Sequence, residues 1–325
     1  MRSRAVLLPT IGDPVLVRLW IRQYEKCFKD SIDNLYVIIN SNLPADVMND
    51  VREQFRNVGA VEVAIYDRMI THGEALKQLL EASTEDLIML IEDDCFVFNR
   101  DVVDKYFRGI ERGDYDLAGS PRMSCATEIC DMALTRWGLN YREARDVGPN
   151  FWPNCLFVKC SDLLKTDLNF DSKEFKAGEY IKPLNYTMKE TGYGDTMVWL
   201  SLQLRDLGLR IKEIPQYHGS TYDVSHRERG HGLWDGHAPW THTGSSSSLQ
   251  NLLDGTSQIN VVETDEKLEL ERRLAWWKLS YDMFKNNLLG GYSENRAHIM
   301  DRIIRVNGLS VRNISYLVDG YMGLI

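Results

Sequence analysis

The sequence predicts an α/β fold, with a mostly parallel central sheet flanked by helices. Short β-rich segments alternate with amphipathic helical segments over the first hundred residues, which is the pattern of βαβ units. The β-rich segments are almost continuously apolar, as strands buried on both faces of a parallel sheet are. Polar residues directly follow several of these strands, and sheets of this kind bind ligands at the carboxyl ends of their strands.

The predicted elements follow in chain order. The predicted strands are 5–10, 35–40, 61–66, 86–91, 115–120, 152–158 and 210–215. The predicted helices are one directly after the turn at 10–14, one at 44–57, one at 72–82 and one at 196–207. Pro44 suits the first turn of its helix, and Gly208 suits a helix end.

A change of composition separates the C-terminal part of the chain. Residues 216–250 are rich in Gly, His, Ser and Trp, which is too long a segment for a structureless loop in a compact domain. We expect a functional lid or a partly disordered segment there. The chain from about residue 263 onward has helical patterning. The predicted organisation is therefore one α/β domain over 1–250, followed by a helical C-terminal extension over 251–325.

The composition favours a soluble globular protein. Of the 325 residues, 44% are hydrophobic and 26% are charged, and the net charge of −9 argues against a broad electrostatic grip on nucleic acid. No apolar stretch approaches the roughly 20 residues of a membrane span, and the N-terminus lacks a secretory signal pattern, so we expect a cytoplasmic protein without membrane partners. The six cysteines form no CxxC pair and predict free thiols. A zinc site using the pairs Cys125/Cys130 and Cys155/Cys160 is the alternative.

The acidic triplet Glu92-Asp93-Asp94 is the sharpest local signal. Three adjacent carboxylates at the end of a buried strand repel one another, and a bound divalent cation relieves that cost. Mg²⁺ and Mn²⁺ prefer carboxylate and phosphate oxygens. A solvated acidic turn is the alternative interpretation, and the position of the triplet at the carboxyl end of a parallel strand favours the cation site.

The order of the segments PT-IGDP, THGEAL and LIMLIEDD resembles glycosyltransferase family 2 and its GT-A relatives. This resemblance implies a GT-A fold, with a donor half at about 1–120 and an acceptor half at about 121–220. It implies Mn²⁺ or Mg²⁺ held by Glu92 and Asp94, although the leading Glu departs from the usual Asp. The residues expected to bind the donor are Pro9, Thr10, Asp67, Arg68, Glu92, Asp93 and Trp234.

Two further segments extend the resemblance. Gly192-Tyr193-Gly194-Asp195-Thr196 precedes a helix, and in inverting members of the family an acid at this point deprotonates the acceptor hydroxyl, so Asp195 is the expected base. A simple helix N-cap is the alternative role for Asp195. His218, just past the next strand, is the expected third metal ligand. The loop that follows carries Arg227, Arg229, Trp234 and Trp240, which are expected to close over the donor, and its other histidines leave a zinc cluster as an alternative.

The predicted function is therefore transfer of a sugar from a nucleoside diphosphate sugar, a UDP-sugar first, to an acceptor hydroxyl with inversion. Retention stays open, as do the acceptor and the oligomeric state. Glycans, small molecules and hydroxymethylated bases of viral DNA are candidate acceptors. Basic residues that keep DNA open are Arg136, Arg142, Arg145, Arg302, Arg305 and Arg312. The alternatives are a catalytically silent nucleotide-sugar or glycan-binding module and a nucleotidyltransferase, for which the Gly-rich loop with Thr-Arg is missing after the first strand.

Overall fold

The computed structural model describes residues 2–12, 14–40, 44–65, 70–93, 95–97, 101–122, 125–138, 150–214, 217–218 and 233–235. The strands are β1 (Arg4–Thr10), β2 (Asn34–Ile39), β3 (Val61–Ile65), β4 (Leu87–Leu90), β5 (Phe96–Val97), β6 (Leu117–Arg122), β7 (Asn150–Lys159), β8 (Lys173–Phe175), β9 (Tyr180–Ile181), β10 (Tyr186–Thr187), β11 (Gly192–Gly194), β12 (Ile211–Glu213), β13 (Tyr217–His218) and β14 (Leu233–Asp235). The helices are α1 (Pro14–Gln23), α2 (Ala45–Asn57), α3 (His72–Ala82), α4 (Asp101–Arg112), α5 (Thr127–Trp137), α6 (Cys160–Leu163) and α7 (Val198–Asp206). Helix α1 continues as a π-helical turn over Tyr24–Phe28, and 3₁₀ turns cover Lys29–Ser31 and Lys182–Leu184.

A seven-stranded sheet in the order β12-β6-β7-β4-β1-β2-β3 forms the centre of the described structure. Strands β4, β1, β2 and β3 are parallel neighbours, and β12 is parallel to β6. Strand β7 is antiparallel to both β4 and β6, so β6 and β12 point the same way as β4. The predicted mostly parallel α/β sheet is confirmed. The sequence did not predict that β7 is antiparallel, because a run of apolar residues does not tell which way a strand points in the sheet.

Helices cover both faces of this sheet. One face is closed by α3 and α7, whose buried residues pack with alternate residues of the strands, including Leu7, Ile38 and Leu156. The intervening residue Phe157 points the other way and packs against α4, with ring-centre distances of 5.3 Å to Tyr106 and 5.2 Å to Phe107. This double coverage explains why the central strands are continuously apolar.

A second, smaller apolar cluster lies beside α7. It joins α5, α7 and the short strands that follow α6, and its buried members are Ile129, Ala133, Phe175, Ile181, Leu184, Met188, Val198 and Leu202. Helix α7 therefore packs on the central sheet with one side and on this cluster with the other. That arrangement fixes the start of α7, and with it the segment that contains Asp195.

One ion cluster ties three strands together at the amino edge of β6. Asp116 accepts hydrogen bonds from Lys159 at the end of β7 (2.9 Å) and from the Arg210 guanidinium before β12 (3.0 and 3.1 Å). The Arg210 hydrogen bonds are the main cause that lowers the pKa of Asp116, and Lys159 adds to them against the opposing effect of burial. The cluster of Asp116, Lys159 and Arg210 therefore stabilises the fold most when the Asp116 carboxyl is ionised.

The predicted bounds of helix α3 match the structure at both ends, and α2 begins one residue later than predicted, after Pro44. Helix α7 is shorter than predicted, beginning at Val198. The expected C-terminal helical extension and most of the 216–250 segment lie outside the described residues; within that segment, the structure describes β13 and β14 as short strands. All six cysteines have free thiols. Among the described helices, none has the length and apolar character needed to cross a membrane.

Candidate functional site

The carboxyl edge of the sheet brings the ends of β1 and β4 into direct contact. Thr10 donates a hydrogen bond from Oγ1 to Asp93 Oδ2 (2.6 Å), and the Ile11 backbone N–H donates to the same oxygen (3.1 Å). Thr10 Oγ1 also accepts a hydrogen bond from the Gly12 N–H (2.9 Å), and Gly12 has a left-handed φ of 77°. Thr10 and Asp93 are both buried. The Asp93 carboxylate therefore fastens the acidic turn to the turn after β1.

The end of β2 fixes the approach to helix α3 in a similar way. Asn40, which is buried directly after β2, donates to the Ile70 carbonyl and accepts from the Ile70 N–H, both at 2.9 Å. Thr71 then caps α3, because its hydroxyl accepts a hydrogen bond from the Glu74 N–H (3.1 Å). These contacts place the first turn of α3 at the same edge of the sheet as the acidic turn.

His72, the first residue of α3, faces Glu92. Its Nε2 lies 3.5 Å from Glu92 Oε1, and the side chains are 37% and 16% exposed, respectively. Desolvation by the surrounding protein lowers the pKa of His72 to about 4, and the charge of Asp171 opposes that shift. The imidazole is therefore neutral at pH 7. A neutral imidazole and a carboxylate therefore share this part of the edge.

The position of His72 is constrained by its neighbour Gly73. The Gly73 N–H donates to Asp171 Oδ1 (3.0 Å), and a Cβ on Gly73 would lie 2.4 Å from the Asp171 backbone nitrogen. Only glycine allows this close approach of α3 to the segment before β8. This segment also contacts the start of α7, because the Met197 N–H donates a hydrogen bond to the Phe170 carbonyl (2.8 Å). The same contacts therefore connect the acidic turn, α3 and the region of Asp195.

Asp195 lies three residues before α7 and is half-buried. Its Oδ1 accepts a hydrogen bond from the Thr196 N–H (2.8 Å), and its carbonyl accepts from the Val198 N–H (3.1 Å). The N-cap position belongs to Met197, which has a left-handed φ of 71° and makes no side-chain cap. The alternative role of Asp195 as a simple N-cap of α7 therefore does not match the structure.

A small second sheet extends the edge beyond the acidic turn. Strand β14 pairs with β5, so that Trp234 lies opposite Phe96, and β13 pairs with β14, so that His218 lies opposite Asp235. Strand β5 begins three residues after Asp93 and is held by the buried Gln23, which donates to the Cys95 carbonyl (2.8 Å) and accepts from the Val97 N–H. The backbone thus brings β13 and β14 to the strand that follows the acidic triplet.

The predicted site residues therefore fall into three groups within the described part of the chain and a fourth outside it. Thr10, Glu92 and Asp93 meet at the carboxyl edge, with Pro9 buried in β1 beside them, while His218 and Trp234 lie on the attached small sheet. Asp195 is linked to this edge through the contacts of Met197. Asp67, Arg68 and Asp94 lie outside the described residues, as do Arg227, Arg229 and Trp240. His72, which faces Glu92 at this edge, was not among the predicted site residues, although it lies within the THGEAL segment used for the resemblance.

A cavity of about 390 Å³ lies between the turns after α1 and helix α4. It is lined by residues of the turns after α1 and by Asp104 of α4, which is ion-paired with the buried Arg4 at the start of β1 (2.9 Å). Arg4 also pairs with Glu111 (2.9 Å) and lies over the Phe107 ring. This cavity borders an ion network that supports the fold, and it contains none of the predicted site residues.

Comparison with known proteins gives similarity to solved structures only. The chain is similar to glucosyl-3-phosphoglycerate synthase from Mycobacterium tuberculosis, with 16% identity and a TM-score of 0.36, over 50% of this chain and 58% of the synthase chain. It is also similar to S. aureus TarS 1-349, with 11% identity and a TM-score of 0.44, over 98% of this chain and 89% of that chain. The chain thus spans less than two thirds of the synthase. No family model and no curated protein matches the sequence.

Proposed function

We propose that this protein is a metal-dependent glycosyltransferase of the GT-A type that takes its sugar from a nucleoside diphosphate sugar. The observation that carries the proposal is the Thr10–Asp93 contact of 2.6 Å, which fastens the acidic turn to the carboxyl edge of a parallel sheet. Ligand sites of such sheets lie at this edge. Glu92 is held beside this contact and keeps 16% of its side chain exposed.

The residues at this edge fit a divalent cation and a diphosphate. We assign Glu92 and Asp94 as ligands, since Mn²⁺ and Mg²⁺ prefer carboxylate oxygens, and His218 as the third ligand, because β13 joins the small sheet that contains β5. Such a cation offsets the negative charge that develops on a leaving diphosphate. Thr10 and Asp93 are proposed to act through their mutual contact, since both side chains are buried and bonded to one another.

The donor and acceptor roles of the remaining residues follow from their positions. We assign Pro9, Asp67 and Arg68 to the donor side, because they lie at or after the ends of β1 and β3. Trp234 is proposed as a platform for the sugar, from the strand paired with β5. Asp195 is proposed as the base that removes the proton of the acceptor hydroxyl, with inversion at the sugar, because its carboxylate does not cap α7.

The acceptor is a hydroxyl whose class the proposal leaves to experiment. Among the basic residues that favour a DNA acceptor, Arg136 is paired with Asp206 at 3.0 Å, and this pairing weakens its case as a phosphate contact. A cytoplasmic location is proposed from the free thiols. UDP-sugars come first among donors, and UDP with Mn²⁺ is also what one complex of the mycobacterial synthase contains.

The test is a nucleotide-release assay with a panel of nucleoside diphosphate sugars, with and without Mn²⁺, using water and candidate hydroxyl compounds as acceptors. We expect metal-dependent release from one donor, and a fall in rate of about 100-fold or more in Asp195→Asn with donor binding retained. Metal-dependent donor binding with no release on any acceptor or water would instead favour the silent binding module. Release that ignores the metal would overturn the proposal.

A further inference from the structure

We propose that His72 is a direct ligand of the divalent cation, together with Glu92. This inference rests on the proposed function, because it adds a ligand to the metal site proposed there. It assigns to the first residue of α3 a role that the resemblance does not contain, since the resemblance places the histidine ligand at His218, on the other side of the acidic triplet in the chain.

The separation of the two side chains fits a shared ion. His72 Nε2 and Glu92 Oε1 are 3.5 Å apart. Neighbouring ligands of an octahedral ion, each about 2.1 Å from it, lie about 3.0 Å apart, so a movement of about 0.5 Å would bring both atoms onto one ion. The separation of 3.5 Å exceeds the roughly 2.7–3.2 Å of a nitrogen–oxygen hydrogen bond. The two atoms therefore face one another across a long contact, which a shared ion would shorten on both sides.

The chain around both residues is anchored before any ligand arrives. Asn40 fixes Ile70 through two hydrogen bonds of 2.9 Å, and Gly73 is bonded to Asp171 at 3.0 Å, so the backbone on both sides of His72 is anchored. Glu92 precedes Asp93, which is fastened to Thr10. Preorganised ligands of this kind lower the cost of binding an ion.

An acidic side chain also lies near His72. Metal-bound histidines commonly donate their second ring N–H to a carboxylate or carbonyl group, which orients the ring. The carboxylate of Asp171 accepts a hydrogen bond from the Gly73 N–H, and its charge acts on the His72 imidazole, so it is the acid nearest to this role. The His72 side chain keeps 37% of its surface exposed, so an ion with a bound nucleotide can reach it.

The test measures Mn²⁺ binding directly, by electron paramagnetic resonance of the untagged protein in the presence of UDP. The variants are His72→Ala, His72→Gln and the control Lys77→Ala, which removes a 42% exposed side chain from the same helix. We expect the Kd for Mn²⁺ to rise about tenfold or more in His72→Ala, less in His72→Gln, whose amide oxygen can ligate the ion, and not at all in Lys77→Ala. Thermal melting confirms that each variant is folded. If His72→Ala does not fold, the Mn²⁺ Kd of His72→Gln is compared with that of the wild type instead.

A spectroscopic readout separates His72 from His218. Pulsed electron paramagnetic resonance detects the ¹⁴N nucleus of an imidazole bound to Mn²⁺. We expect this nitrogen signal to persist in His218→Ala and to disappear in the double variant His72→Ala/His218→Ala. An unchanged Mn²⁺ Kd in folded His72→Ala, or loss of the nitrogen signal in His218→Ala alone, would overturn the role of His72 and leave the proposed function standing. A wild-type protein that binds no Mn²⁺ with any nucleotide would overturn the proposed function itself.

Discussion

Replacement of Thr10 by Val tests whether the contact between β1 and the acidic turn holds the site together. Valine keeps the branched shape of threonine but removes the hydroxyl that donates to Asp93 Oδ2 at 2.6 Å and accepts from the Gly12 N–H at 2.9 Å. Thr10 is only 3% exposed, so water cannot replace either bond. A hydrogen bond to a charged group contributes about 1.5–3 kcal/mol, and a buried N–H that loses its partner costs about 1–3 kcal/mol.

Because these two contributions overlap, we expect Thr10→Val to lower the free energy of unfolding by about 3 kcal/mol. In a domain of this size that corresponds to a fall in Tm of about 6–12 °C. The control is Thr10→Ser, which keeps the hydroxyl and loses one methyl group at a cost of about 1 kcal/mol. Urea unfolding and thermal melting measure both variants. If Thr10→Val is as stable as the wild type, or if Thr10→Ser loses as much stability as Thr10→Val, the contact does not have the role described.

Three further predictions concern the supports of the site and the fold. In Gln23→Met, the Cys95 carbonyl and the N–H of β5 lose their buried amide partner, and urea unfolding should register a loss of about 2–4 kcal/mol; a loss below about 1 kcal/mol would contradict the clamp. Asp116→Asn should be less stable than the wild type at pH 5, and this difference should shrink as the pH falls to 3. The reason is that the lowered pKa of Asp116 stabilises the wild type above the unfolded pKa of about 3.9, and this stabilisation is lost as the pH falls below it. Melting at several pH values checks this, and a difference that stays constant would refute it. Gly73→Ala places a Cβ 2.4 Å from the Asp171 nitrogen, so we expect a net destabilisation of about 1–3 kcal/mol by urea unfolding, despite the better helix propensity of alanine, and a gain in stability would show that α3 can move away.

The sequence predicted the parallel half of the sheet and the whole of α3 because these elements depend on local patterns. The strands are continuously apolar, and α3 has a Thr71 cap followed by apolar residues at helical spacing. The antiparallel direction of β7 was not predicted, since direction depends on which strands become neighbours. Helices α4 and α5 were likewise missed, although both pack apolar faces on their neighbours.

The site was predicted in part, for a related reason. The sequence shows three acids side by side. It does not show that Asp93 points inward to Thr10, or that Glu92 faces His72. These orientations depend on contacts between residues more than 80 positions apart in one case and 20 in the other. A single histidine at a helix start has no distinguishing spacing, so the proximity of His72 to Glu92 became visible only in three dimensions.

The central claim is that the carboxyl edge of the sheet binds a nucleotide together with a divalent cation. Thermal melting with a panel of nucleoside diphosphates and nucleotide sugars, with and without Mn²⁺, tests it on the wild type, Asp94→Ala and the control Glu81→Ala, which changes an exposed residue of α3. A ligand at 100 times its Kd adds about 2.7 kcal/mol to the free energy of unfolding. We predict a metal-dependent rise in Tm with one nucleotide that is kept in Glu81→Ala and lost in Asp94→Ala. A rise that needs no metal and survives in Asp94→Ala, or no rise with any compound, would contradict the claim.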